Sequence, residues 1–154
     1  MDWFVTAFLK ASLAWLAAGV TLGVAMAAHP VWSVYRVAHE HMNLLGFVTM
    51  MIYGVAYHVI PRFTGVPLHS RRLAGVHWWM ANLGLLGMVV GFAFRASGFT
   101  STAISTSLLA AGGVAAAGGA YLFVFNIWRT IDGTRAAARR VSPPTQIRRA
   151  SANG

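Results

Sequence analysis

Four apolar stretches, each long enough to cross a lipid bilayer as a helix, occupy most of this chain. They run over Trp3–Ala28, Ala38–Ile60, Leu73–Phe94 and Thr102–Trp128, and only Lys10 interrupts the first. A hydrocarbon core of ~30 Å needs about 20 apolar residues of helix. Proline, charge or a polar cluster bounds each stretch, as helix ends require. The pattern predicts an all-α integral membrane protein with four transmembrane helices. The first stretch does not read as a cleavable signal peptide, because its apolar run is too long and its start carries Asp2.

Composition narrows the function classes. Of 154 residues, 57% are hydrophobic and 10% charged, where a soluble domain carries about 25% charged residues. That argues against an ordinary water-soluble enzyme and against a disordered regulator. The net charge of +9 does not indicate nucleic acid, since the cations sit at span ends and in the last segment rather than along one face. With no Cys, disulfides, thiolate metal sites and Cys nucleophiles drop out. Six His and three acids are the main ligating or titratable groups.

The cations also set a direction. With the N-terminus cytoplasmic, Lys10, Arg62, Arg71, Arg72, Arg129, Arg135, Arg139, Arg140, Arg148 and Arg149 lie inside, and only Arg36 and Arg95 lie outside. That asymmetry follows the positive-inside rule and predicts both termini in the cytoplasm. Residues 1–130 then form the membrane domain, and 131–154 a basic, flexible cytoplasmic tail near anionic headgroups. Small residues mark close helix packing: Gly19 and Gly23, Gly87 and Gly91, and Gly112, Gly113, Gly118 and Gly119 in the fourth span. Packing within the bundle and packing between subunits both fit them.

The histidines are not equivalent. His29, His58 and His69 fall at span ends or in a loop and read as interfacial. His77, beside Trp78 and Trp79, reads as part of an interfacial aromatic belt, with a second, inner cofactor site as the alternative. His39 and His41 lie in the outer turn of the second span. Two residues apart on a helix means ~200° apart, so they cannot chelate one ion, though each can serve a planar cofactor on its own flank. A water-facing polar cap on the span is the other reading. His77 lies roughly 20 Å deeper than His41, too far to share one planar cofactor with it.

The stretch YRVAHEHMNLLGFVTMMIYGVAYHVIPRFTG, followed by LAGVHWWMANLGLLGM, resembles two successive helices, the tenth and eleventh, of the catalytic subunit of haem–copper oxygen reductases. The likeness is greatest to the C-type oxidases and nitric oxide reductases. His39-Glu40-His41, Leu45-Gly46-Phe47, the Tyr57-to-Arg62 exit and His77-Trp78-Trp79 carry it, over about 60 of 154 residues. The resemblance implies that His39 and His41 are axial ligands of two different haems, and that Arg95, with Arg36 on the same side, meets haem propionates. Glu40 and Asn43 are the nearby polar groups that can orient the imidazoles. The implied cofactor is haem b, held non-covalently because there is no Cys to attach it. Copper is not expected, since the family's copper ligands and cross-linked tyrosine lie on other spans.

That subunit has approximate threefold symmetry in units of four spans. A homotrimer of this chain would therefore place His39 of one subunit opposite His41 of the next, with a bis-His haem between them. Bis-His ligation saturates iron and favours electron transfer, with a membrane quinol or a periplasmic cytochrome as redox partner and the bacterial inner membrane as location. A minimal oxygen or nitric oxide reductase, a gas sensor, and a cofactor-free assembly or interaction subunit are the competing readings.

Overall fold

The computed structural model describes residues 1–141, with side chains to residue 133. Four helices carry the chain: α1 (Trp3–Ala28), α2 (Pro30–Thr64), α3 (Arg71–Ser97) and α4 (Thr102–Val141), each long and apolar enough to cross a membrane. The described residues contain no strand. Successive helices run antiparallel. Gly23 lies against His39 and Gly54 against Leu9, Tyr57 reaches His77 while His41 meets Phe92, and Gly91 abuts Leu109 while Gly119 abuts His77. α1 packs mainly on α2 and α4 on α3, and the α3–α4 contact is the most extensive.

The helix ends follow local chemistry. Ser70 caps α3, its hydroxyl accepting from the Leu73 amide at 3.2 Å. Gly98 closes α3 in the left-handed conformation at φ 65°. The expected stop of the second span at Pro61 is corrected. The helix continues through Pro61 to Thr64 and ends at Gly65, φ 66°. Pro61 forfeits only the bond its nitrogen would have given the Tyr57 carbonyl, the helix continues past it for three residues, and the left-handed glycine supplies the actual exit. At the other end, α4 runs past Trp128 to Val141. Residues 142–154 of the expected tail lie outside the described residues.

α2 is not one uniform helix. It opens as a 3₁₀ turn over Pro30–Tyr35, is α-helical over Arg36–His41, π-helical over Met42–Thr49, and α-helical again over Met50–Thr64. The sequence accounts for this. Its buried positions Ala38, Met42, Gly46, Met50 and Gly54 recur every four residues. In an α-helix such a stripe drifts about +40° per step, whereas i→i+5 bonding at about 4.4 residues per turn drifts it about −30°. Two α-helical and two π-helical steps nearly cancel, so the stripe stays on one face.

The core lies at one end of the bundle. Phe4, Val5 and Phe8 of α1, Met50 and Tyr57 of α2, Ala74, Ala81 and Leu85 of α3 and Ile127 of α4 form it. The opposite end, which carries His39 and His41, is more open, and both imidazoles are only half-buried.

Candidate functional site

His39 and His41 leave α2 toward different neighbours. The His39 ring turns to α1, where its Nδ1 bonds the Gly19 carbonyl at 2.8 Å. A Cβ on Gly23 would stand 2.8 Å from His39 Cε1, and one on Gly19 would stand 2.7 Å from the Asn43 amide. The Gly19/Gly23 pair therefore opens the slot that His39 and Asn43 fill, a packing role within one chain. Asn43 Nδ2 donates to the His39 carbonyl at 2.9 Å, bracing the turn that carries the ring. His41 turns the other way. Its Nδ1 bonds the Val37 carbonyl at 2.8 Å, and its ring centroid lies 4.8 Å from that of Phe92 on α3.

These bonds fix the chemistry of both rings. A carbonyl oxygen only accepts, so Nδ1 carries the hydrogen in each imidazole and Nε2 keeps the lone pair. An imidazole whose Nδ1–H is anchored to a carbonyl while Nε2 is left as base is the form in which histidine binds a transition metal. Among the described residues, no three His, Asp or Glu side chains converge. The two imidazoles are separate donors on separate flanks, which suits two planar cofactors and not one chelated ion.

The expected supporting residues sort differently. Glu40 does not reach either imidazole. Its carboxylate accepts from Arg36 Nε at 3.0 Å, one turn away, with both side chains well exposed, so the Gly19 and Val37 carbonyls orient the rings instead. Arg95, at the end of α3, donates to the Thr106 hydroxyl of α4 at 2.8 Å. Arg36 and Arg95 share the bundle end of the two histidines. His29 and His69 are exposed and His58 is half-buried, as residues at span ends.

His77 overturns its interfacial reading. It is fully buried, while its neighbour Trp79 is 55% exposed. Its Nδ1 shares a hydrogen bond of 3.1 Å with the Tyr57 hydroxyl, and its Nε2 has no partner. The rings of Tyr53, Phe8 and Phe123 enclose it at centroid distances of 4.5, 4.8 and 5.6 Å. The helical stripe Ala74, His77, Ala81 and Gly84, all buried, is the sequence signal for this burial, and the adjacent tryptophans point the other way.

No family model matches the chain. It is similar to a Cbb3-type cytochrome c oxidase subunit CcoN1 from Stutzerimonas stutzeri, 27% identical over 84% of this chain and 33% of that protein. It is also similar to cytochrome c oxidase subunit 1 from Rhodobacter capsulatus, 27% identical over 63% of this chain and 22% of that protein. The chain is related to subunit I of the haem–copper oxidases. It spans a third or less of the length of these relatives, and its four helices are long and apolar enough to cross a membrane.

Proposed function

We propose that this chain binds haem b non-covalently through His39 and His41 and transfers electrons within a bacterial inner membrane. The observation that carries the proposal is that each imidazole is anchored through Nδ1 to a carbonyl on opposite flanks of α2, which leaves Nε2 as the basic nitrogen, touched in His39 only by the Asn43 amide at 3.5 Å. The residues present fit the group: two imidazole nitrogen donors, half-buried, with Arg36 and Arg95 at the same bundle end for carboxylates. When bound, haem supplies a one-electron carrier whose potential depends on axial ligands, burial and hydrogen bonding. The chain's own contribution is positional. Gly19 and Val37 hold the tautomers, Asn43 braces the His39 turn, and Phe92 packs against the His41 ring.

In this reading both termini face the cytoplasm, the two histidines lie near the periplasmic surface, and a quinol or a periplasmic cytochrome exchanges electrons there. Because both rings remain half-buried in one chain, a second copy completes each pocket. A closed trimer pairs His39 of one subunit with His41 of the next and leaves no ligand for copper.

A reduced-minus-oxidised absorption spectrum of the protein, expressed with haem in excess, tests this. We expect a low-spin b-type spectrum unaltered by carbon monoxide. His39→Ala and His41→Ala should each remove at least half of the bound haem. A colourless protein, or full haem retention in the double variant, would exclude the proposal. A Soret shift with carbon monoxide would instead point to a gas-reactive iron.

A further inference from the structure

At the end of the bundle opposite His39 and His41, a cleft of about 360 Å³ opens between the start of α1, the end of α2 and the start of α3. Its walls mix charge with apolar surface. Arg62, Arg71, His58 and Asp2 line it, together with Val5 and Leu68, and Tyr57 also contributes to its wall. The cations are not equally engaged. Arg71 pairs with the Asp2 carboxylate. Arg62 has no acidic partner among the described residues, and its guanidinium abuts the His58 ring, one turn earlier on α2.

Arg62 is exposed, so most of its fork faces the open cleft and has no protein acceptor among the described residues. A guanidinium carries five donors and no acceptor, and a neutral imidazole offers a single lone pair. The acceptor that matches the fork is a planar or tetrahedral oxyanion, and phosphate oxygens accept it in bidentate fashion. The cleft lies where three spans end, at headgroup depth for helices of this length. One side of it is apolar, as an acyl-bearing ligand needs. Basic pockets between transmembrane helices are where anionic lipid headgroups bind.

We propose that this cleft binds the phosphodiester of an anionic membrane lipid, with Arg62 as its principal anchor, Arg71 as the second cation and His58 as a flanking donor. Nothing in the proposal depends on haem, and it would stand if the proposed electron transfer failed.

The full chain in non-ionic detergent, titrated with short-chain phosphatidylglycerol and followed by native mass spectrometry, tests it. Parallel arms use phosphatidylcholine and inorganic phosphate at matched ionic strength. We expect phosphatidylglycerol to bind at one site per chain, more tightly than either comparator. Arg62→Gln should weaken it about tenfold or more, as loss of a charge-assisted hydrogen bond implies. Arg62→Lys, which keeps the charge without the fork, should fall between. Lys10→Gln, which removes an exposed cation on α1 outside the cleft, should leave binding unchanged. Equal binding of phosphatidylcholine would overturn the proposal, as would an equal loss in Lys10→Gln, or wild-type binding in an Arg62→Gln protein of normal helical content. Capture of inorganic phosphate as tightly as the lipid would overturn the lipid assignment.

Discussion

Burying His77 with one nitrogen unpartnered sets a measurable balance at the residue scale. Whichever ring nitrogen carries its hydrogen, Tyr57 satisfies Nδ1 and nothing satisfies Nε2. Removing one partner of a buried hydrogen bond costs about 1–3 kcal/mol, whereas removing both together is nearly neutral when shape is kept. Tyr57→Phe, which strips the buried imidazole of its partner, should therefore destabilise the protein by about 1–3 kcal/mol. His77→Phe should cost less, because the Tyr57 hydroxyl keeps a second partner in Asn126 and the unpartnered Nε2 is removed. The double variant should lose clearly less than their sum. Unfolding titrations in mixed micelles read all three. Additive losses would show that the pair is not coupled. The same scale separates His77 from His39 and His41. Their Nδ1 atoms end on carbonyls, which leaves Nε2 as a usable base, while the second nitrogen of His77 is sealed among aromatic rings.

At the element scale, adjacent glycines have opposite roles. A Cβ on Gly112 would lie 2.6 Å from the Gly84 carbonyl oxygen, while one on Gly113 would meet nothing within 4 Å. Backbone cannot yield as a side-chain tip can, so Gly112→Ala must push α3 and α4 apart. Overpacking of this kind costs about 1–3 kcal/mol. Gly113→Ala should be neutral or stabilising by up to about 1 kcal/mol, since alanine suits a helix interior better. Thermal unfolding followed by circular dichroism distinguishes the two. Equal effects would mean that α3 and α4 do not approach as closely as described. The π-helical turns of α2 set the facing of its two halves. They follow immediately after the His-x-His pair and keep Ala38 and Met50 on a single buried face, so the half of α2 that carries the ligands and the half that builds the core face the bundle together.

For the whole molecule, packing density divides the bundle. The aromatic core fills the end marked by Tyr57 and His77, and the His39/His41 end stays half-open. A trimer of 16.5 kDa chains, with one haem per chain, is the assembly expected if neighbouring copies complete the open end. Light scattering in detergent coupled to haem quantitation measures both numbers. A haem-bearing monomer would remove the shared-pocket arrangement while leaving the ligands in place.

Much of the architecture was legible in the chain because a bilayer imposes a length rule. Long apolar runs bounded by charge, proline and glycine can do little except span, and period-3.6 geometry already sends two residues at i and i+2 to opposite flanks. Exits and local twist were less legible. Pro61 reads as the end of a helix that in fact carries on to Thr64, because a proline removes one backbone bond and the left-handed Gly65 decides where the chain leaves. The Glu40–Arg36 and Asn43–His39 pairings are one-turn contacts open to spacing alone, whereas tertiary structure alone decided that His77 enters an aromatic enclosure, that His39 meets the Gly19 carbonyl, and that Gly112 rather than Gly113 lies against a backbone. Spacing along one helix gives a direction, but what waits in that direction is set by which other helix packs there, and at what distance.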